Sequence, residues 1–267
     1  MGADIKQLRT RIKSVDSTLH LTKAMGLVAS SKIRRATDAM LKGREYSAAV
    51  EDTVNQLIGS SECANSPYLS DRGEKRTRLI VIAGDRGLAG GYNANIFRLM
   101  REYPDAEVTP IGKRACDRFG GELLYAEAFT YEAAKKMADG FCRDFQSGAY
   151  DRLGIVYTKY VSMMSQVPEI QWILPLSARR DGGQNSVIFE PDEITVLNTV
   201  IPEYVAGVTV ALVRESFASE VAARRVAMDS AGKNAQEMID ELGLAYNRAR
   251  QGAITQEITE IVAGSGV

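Results

Sequence analysis

A glycine-rich turn between a predicted strand and a predicted helix is the part of this sequence best suited to binding chemistry. The apolar run of residues 78–83 indicates a buried strand, and the turn reads Gly-Asp-Arg-Gly-Leu-Ala-Gly-Gly-Tyr-Asn over residues 84–93. Backbone N–H groups at a strand–turn–helix junction can bind phosphate. The glycines match neither G-x-G-x-x-G nor G-x-x-x-x-G-K-[ST], and Asp85 brings a negative charge into the turn. We therefore expect a tight structural turn and not a nucleotide site.

The other residues that commonly carry catalysis are isolated in the sequence. His20 is the single histidine and lies within a predicted helix, whereas a catalytic triad or zinc site needs a histidine in a cleft with partners. Cys63, Cys116 and Cys142 are widely spaced, without a C-x-x-C pair, which indicates free thiols in a reducing compartment. We expect no cofactor and no metal.

Alternating strand and helix patterns fill the middle of the chain and would position the turn. Strands are predicted at residues 78–83, 107–111, 153–158 and 171–176, with a short one at 123–129, and helices at 94–102, 113–119 and 131–145. This alternation predicts a mainly parallel, Rossmann-like sheet covered by helices. Residues 177–185 are expected to form a loop, and residues 189–202 a return connection to the last helix.

Two long segments at the ends of the chain show the spacing of a coiled coil. Residues 4–58 and 207–263 contain no proline, and their apolar or small residues recur in alternating steps of three and four. Such steps place side chains on one helix face, which must be buried against a partner. We expect the segments to pair antiparallel within one chain, with inner ends meeting near residues 58 and 208. The predicted contact residues are Ile5, Leu8, Ile12, Val15, Leu19, Thr22, Gly26, Ala29, Ile33, Ala36 and Met40, and then Met228, Ala231, Ala235, Met238, Leu242, Ala245, Ala249 and Gly252.

Charge and hydropathy exclude some functions. The 267 residues carry a net charge of −1, which argues against nucleic acid as a partner. Residues 1–45 nevertheless hold ten basic and four acidic side chains, which form either a solvated helix face or a face that meets acidic partner surfaces. We see no signal-peptide core and expect no apolar run of about 18 residues, and thus no membrane span.

Three longer motifs allow comparison with a known family. They are Thr-Lys-Ala-Met-Gly-Leu-Val-Ala-Ser-Ser-Lys at residues 22–32, the glycine-rich turn, and a C-terminal signature. The signature reads Tyr-Asn-Arg-Ala-Arg-Gln at residues 246–251 and Ile-Thr-Gln-Glu-Ile-Thr-Glu-Ile-Val at 254–262. Together they closely resemble the gamma subunit of F-type ATP synthase, bacterial type. The resemblance implies a rotor shaft that couples c-ring rotation, driven by protons or sodium ions, to ATP synthesis or hydrolysis at the beta subunits.

The resemblance also implies partner contacts. The terminal helices would lie inside a ring of three alpha and three beta subunits, and the α/β domain would contact the epsilon subunit and the c-ring. By motif match, the ring contacts are Lys23, Met25, Arg224, Arg250, Gln251, Thr255 and Glu257, and the c-ring contacts are Phe189 and Glu190. The alternative for Arg250 and Glu257 is that they are ordinary solvated charges on a helix surface. The alternative for Thr255 is that it is a small residue of the helix–helix seam. The family has no catalytic residues of its own.

The expected domains are a coiled coil of residues 1–60 and 207–267 and an α/β domain of residues 74–200. The expected location is peripheral, on the cytoplasmic face of the bacterial plasma membrane. One alternative is a nucleotide-dependent α/β enzyme with helical arms, which nucleotide titration would separate from a rotor. Another is a basic coiled-coil DNA binder, which leaves the α/β segment and the second long helix unexplained.

Overall fold

A computed structural model describes residues 2–177 and 189–264. In chain order the elements are α1 (Gly2–Ile58), β1 (Thr77–Ile82), α2 (Tyr92–Leu99), β2 (Glu107–Ile111), α3 (Lys113–Phe119), α4 (Tyr131–Gln146), β3 (Arg152–Ser162), β4 (Ser165–Leu174) and α5 (Glu193–Gly264). Short 3₁₀ turns occupy Glu62–Asn65, Pro67–Leu69 and Met100–Glu102. The loop expected at residues 177–185 lies outside the described residues, apart from Ser177.

The chain divides into two compact units whose boundaries fall inside α1 and α5. One unit holds Met1–Ser30 and Arg224–Val267, and the other holds Ser31–Ala223. This division differs from the functional one expected from the sequence, in which residues 1–60 and 207–267 form a shaft and residues 74–200 a foot. That functional division remains a prediction.

The first unit is a pair of antiparallel helical segments. A Cβ atom built on Gly26 lies 3.7 Å from Met228 Cβ, and one built on Gly232 lies 3.5 Å from Thr22 Oγ1. Because residue numbers fall along α1 as they rise along α5, the segments run in opposite directions. Small residues at these positions permit the close approach of the two helix backbones.

The predicted contact face of α1 is confirmed, whereas three of the eight positions predicted for α5 are wrong. Every predicted position from Ile5 to Met40 is buried or half-buried. In α5 the positions Met228, Ala235 and Leu242 are buried, and Ala231 and Ala249 are half-buried. The intervening positions Met238, Ala245 and Gly252 are exposed, and the half-buried residues there are Ile239, Tyr246 and Ala253. From Ala235 onward the spacing between successive contact positions is four, then three. Every second contact position therefore lies one residue after the predicted one.

The last helix begins well before residue 207, at Glu193. Asp192 caps it, since its carboxylate accepts a 2.8 Å hydrogen bond from the Thr195 backbone N–H. Pro202 lies inside the helix although an interior proline removes a hydrogen bond, because burial of neighbouring residues such as Leu197 and Val205 outweighs that cost.

The earlier start of α5 moves the point where the long helices meet. Within the second unit a Cβ built on Gly207 falls 2.4 Å from the Tyr46 ring. The inner end of α1 is followed by Ser60, whose hydroxyl hydrogen-bonds to the Glu193 carboxylate. The inner ends therefore meet near residues 58–60 and 193–197, and the expected meeting of residues 58 and 208 was wrong.

The second unit is built on a mainly parallel four-stranded sheet, as predicted. The strand order is β2-β1-β3-β4. Strand β1 pairs parallel with β2 and with β3, whereas β3 and β4 form an antiparallel hairpin. The hairpin makes β4 begin at Ser165, earlier than the predicted residue 171.

Both faces of the sheet are covered. From β1, Ile80 and Ile82 point into the main core with α1, α4 and α5, while Leu79 and Val81 point into a second core with α2. A strand buried on both faces explains the continuous apolar run that predicted it.

The strand predicted at residues 123–129 does not form. Its backbone is held by other groups, since Leu124 O accepts a 2.6 Å hydrogen bond from Gly112 N and the N–H groups of Ala126 and Glu127 bond to the Asp85 carboxylate. The segment is therefore a loop fixed against the carboxyl end of β1.

The sequence has no unbroken run of 18 apolar residues, but the mean hydropathy of one stretch is high. Helix α5 contains an 18-residue stretch that is long and apolar enough to cross a membrane by composition alone. About two-thirds of that stretch (67%) is buried within the chain, as in the core helix of a globular protein.

Candidate partner-binding sites

The aspartate of the glycine-rich turn binds backbone groups of two neighbouring segments. Asp85 Oδ1 accepts hydrogen bonds from Lys113 N at 3.1 Å and Ala126 N at 3.0 Å, and Oδ2 accepts one from Glu127 N at 2.9 Å. Lys113 opens helix α3, so its N–H is one of the groups that would otherwise face a bound anion. The carboxylate thus binds the first N–H group of α3 and two N–H groups of the loop that follows α3.

Backbone geometry around the turn explains its glycines in part. Leu88 and Gly90 have φ values of 62° and 58°, the left-handed conformation that glycine adopts at least cost. A Cβ on Gly84 would lie 2.8 Å from Glu220 Cδ, so a side chain there would overlap helix α5. The turn serves close packing of the strand against α5.

Catalytic and metal-binding groups are not assembled in the described part of the chain. Among residues 2–177 and 189–264, no group of three or more His, Cys, Asp or Glu side chains is arranged to hold a metal ion. His20 Nε2 lies 3.7 Å from an Asp16 oxygen one helical turn away, and its side chain is 74% exposed. It is a helix-surface residue.

The predicted ring-contact residues near residue 24 and residue 224 differ in exposure. Lys23 is exposed, whereas Met25 and Arg224 are half-buried. All three lie in the first unit. Lys23 also borders a shallow depression beside Leu19, Arg225 and Met228, so it can reach solvent or a partner without unpacking the helices.

The four predicted ring-contact residues near the end of α5 are all exposed. Arg250 and Glu257 are seven residues apart and share one helix face, because successive residues rotate by about 100°. Gln251 and Thr255 share the adjacent face, where Thr255 Oγ1 donates a 2.9 Å hydrogen bond to Gln251 O. These residues therefore form two polar stripes along the helix.

An apolar stripe lies between the two polar ones. Ile254, Ile258 and Ile261 project on the arc between them, and their side chains are 46%, 56% and 64% exposed. Large apolar side chains exposed in a row are typical of a surface that a partner covers.

The two predicted c-ring contacts are in different environments. Phe189 is half-buried and packs against the main core of the second unit. Glu190 beside it is exposed. Of the pair, only the glutamate presents its side chain to solvent.

One polar cluster, beside the carboxyl end of β3, was not predicted from the sequence. Arg44 of α1 and Glu215 of α5 form an ion pair at 2.6 Å, and Glu215 also bonds to the backbone of Tyr160. A signal was present, because the apolar stretch of residues 204–213 in α5 is followed directly by Arg214, Glu215 and Ser216.

Comparison with known proteins identifies the family. A model of the ATP synthase family matches residues 4–266. The chain is 40% identical to the ATP synthase gamma chain of Ruminococcus albus over 98% of both chains. It is 36% identical to the sodium-ion-specific ATP synthase gamma chain of Acetobacterium woodii over 99% of both.

Solved structures share the fold. A chain from the Euglena gracilis mitochondrial ATP synthase OSCP/F1/c-ring structure has a TM-score of 0.70 at 19% identity, covering 99% of this chain and 94% of that one. A chain from the Tetrahymena thermophila mitochondrial ATP synthase central stalk/c-ring structure has a TM-score of 0.63 at 22% identity, covering 79% and 99%. With matches across nearly its whole length, the chain belongs to the ATP synthase gamma-chain family, the central-stalk subunit of the F-type ATP synthase.

Proposed function

We propose that this protein is the rotor shaft that couples c-ring rotation to ATP synthesis or hydrolysis at the beta subunits. The observation that carries the proposal is similarity to bacterial gamma chains over 98–99% of both aligned chains. The alignment therefore includes the long helices as well as the α/β domain. The antiparallel pairing in each unit fits a shaft built from one chain.

The partner contacts follow from the same proposal. The end of α5, with its apolar stripe between two polar stripes, would turn inside the ring of alpha and beta subunits. An apolar surface suits a bearing because it has no directional bonds to break, whereas each hydrogen bond contributes about 0.5–1.5 kcal/mol. The polar stripes, together with Lys23, Met25 and Arg224, would favour particular rotary angles. Glu190 would face the c-ring, with Phe189 supporting its backbone from the core side.

We also propose that the chain has no catalytic site of its own and works at the cytoplasmic face of the bacterial plasma membrane. The glycine-rich turn supports the first point, because its glycines match no phosphate-binding pattern and the Asp85 carboxylate would repel a phosphate there. The bacterial gamma chains among its relatives support the second. No observation favours the nucleotide-dependent enzyme.

Reconstitution tests the proposal. The chain is combined with the alpha, beta and epsilon subunits and the c-ring-containing membrane sector of its own organism in sealed vesicles. We expect ATP synthesis under an imposed ion gradient, lost when the chain is omitted and when it is truncated after residue 223. Synthesis that continues without the chain would refute the proposal. Calorimetry of the free subunit with ATP and NAD should show no binding.

A further inference from the structure

Strand β3 extends beyond its parallel neighbour. Strand β1 pairs with β3 only from Arg152 to Val156, whereas β3 continues to Ser162. Strand β4 covers one edge of this extension. In the part of the chain that the structure describes, no strand pairs with the other edge. The backbone groups on that edge need other partners because unpaired buried polar groups are costly.

Side chains of helix α5 take the place of the absent strand at Thr158. Ser216 Oγ accepts a 3.1 Å hydrogen bond from Thr158 N, and Ser219 Oγ donates a 2.9 Å hydrogen bond to Thr158 O. Thr158, Ser216 and Ser219 are all buried. Both backbone groups of this residue are thereby paired with the helix.

Two charged residues do the same at Tyr160. Glu215 Oε1 accepts a 3.0 Å hydrogen bond from Tyr160 N, and Arg44 Nη2 donates a 2.9 Å hydrogen bond to Tyr160 O. Arg44 also binds the carboxylate of Glu215 in a bidentate manner, through Nε at 3.0 Å and Nη2 at 2.6 Å. The Glu215 side chain is only 6% exposed, whereas the Arg44 side chain is 42% exposed, so only the carboxylate side of this contact is shielded from water. The hydrogen bond between Arg44 and Glu215 raises the pKa of Arg44, so the guanidinium stays charged.

These bonds differ in kind from the other contacts between the long helices and the sheet. Most of those contacts are apolar, as at Val205 and Val208. Apolar contacts resist separation but are non-directional. Hydrogen bonds weaken steeply when their angle changes, so a row of them fixes the angle at which two elements meet. The row here joins α1, α5 and β3.

We propose that Arg44, Glu215, Ser216 and Ser219, which we call the β3 clamp, transmit torque between the α/β domain and the two long helices. Arg44 and Glu215 are positioning residues, since they act through the backbone of Tyr160 and touch no reacting atom. This inference rests on the proposed rotor function. ATP synthesis requires torque to pass from the α/β domain into the helices, whereas hydrolysis by the detached ring with an unloaded shaft does not.

The test compares two rates in one set of variants. Arg44→Met keeps the aliphatic chain and removes the bonds, Glu215→Gln keeps the size and removes the charge, and Lys42→Met is the control on an exposed α1 position. We expect Arg44→Met to lower ATP synthesis in vesicles by about five- to tenfold, because charge-assisted bonds are lost. Hydrolysis by the detached ring should fall by less than about twofold, because the shaft is then unloaded. Glu215→Gln should act in the same direction, Arg44→Lys should recover part of the loss, and Lys42→Met should match the unmodified chain.

A merely structural role would lower both rates together. Equal losses, or an unchanged ratio of synthesis to hydrolysis in Arg44→Met and Glu215→Gln, would overturn the inference. If Arg44→Met does not assemble, the near-isosteric Glu215→Gln decides. Failure of the rotor proposal is distinguishable, because the unmodified chain would then also give no synthesis.

Discussion

At the scale of single residues, Asp85 has the largest predicted effect. Three backbone N–H groups depend on its carboxylate, and two of them belong to the loop after α3. We expect Asp85→Ala to lower the free energy of unfolding by about 2–3 kcal/mol, since hydrogen bonds to charged groups contribute about 1.5–3 kcal/mol and lost partners remain unpaired. Urea unfolding followed by circular dichroism measures this.

The matched control for Asp85 is Asp105→Ala. Asp105 is exposed, and such surface changes stay within about 0.5 kcal/mol. Equal stability of the two variants would mean that the turn does not need its carboxylate.

The three cysteines should react at different rates. Burial raises the pKa of Cys142 to about 12 and also raises that of Cys63. Only the thiolate is alkylated, and at pH 8 the Cys142 thiol is almost entirely protonated. Iodoacetamide should therefore modify the half-buried Cys116 first, and the other two only after denaturation, as read by peptide mass spectrometry. Early labelling of Cys142 would contradict this account.

Asp151 links stability to pH. Hydrogen bonds from the Arg76 side chain and backbone hold the pKa of Asp151 below its ordinary value. Its contribution is therefore complete above the unfolded-state pKa of about 3.9 and is lost as pH falls through the lower folded-state pKa. Melting temperatures measured from pH 6 to pH 2.5 should fall less steeply for Asp151→Asn than for the unmodified chain. Parallel curves would exclude the link.

At the scale of elements, the close approach of α1 and α5 depends on glycine. A Cβ on Gly43 would lie 3.3 Å from the Ala211 Cα atom, so the backbones almost touch. We expect Gly43→Leu to destabilise the protein by about 1–3 kcal/mol through overpacking. The control Gly140→Leu, in α4 with open space at its Cβ, should be neutral or stabilising by up to about 1 kcal/mol, because leucine favours helix. The melting temperatures of the two variants are compared with that of the unmodified chain. Equal changes in melting temperature would show that the helices can separate freely at Gly43.

The long helices and the sheet strands could be predicted because their signals are local. The α1 seam combines burial with regular spacing, and β1 is apolar on both faces. In α5, by contrast, both Met238 and Ile239 are apolar, and spacing alone does not decide which one faces α1. The start of the helix at Glu193 was missed because Pro202 opposes a helix locally, whereas the burial that overrides it comes from distant residues.

Of the candidate sites, too, only the features with a local sequence signal could be predicted. The absence of a nucleotide motif was readable from glycine spacing and from the charge of Asp85. That this carboxylate accepts bonds from residues 113, 126 and 127 was not, because the fold brings those groups together across 28 to 42 positions of sequence. The β3 clamp was hidden for the same reason, since Arg44 and Glu215 are separated by 171 residues.

At the scale of the whole molecule, the end of α5 should matter for coupling and not for folding. Arg250 and Gln251 are exposed, so Arg250→Ala and Gln251→Leu should leave the melting temperature of the free subunit nearly unchanged. In the assembled complex they should lower ATP synthesis and hydrolysis, because a charge-assisted bond of about 1.5–3 kcal/mol can bias one rotary angle. Both rates and the melting curve are measured for each variant. Unchanged turnover in correctly assembled complex would reduce these residues to solvated helix charges.

The bonds made by Asp85 have a consequence for a subunit of ATP synthase. A ligand that binds only the folded state stabilises it by an amount that varies with ligand concentration. Asp85 is an anion tethered by the chain itself, so its occupancy does not depend on how much ATP, ADP or phosphate surrounds the protein. The α/β domain should therefore have the same stability in an energy-rich and an energy-poor cell.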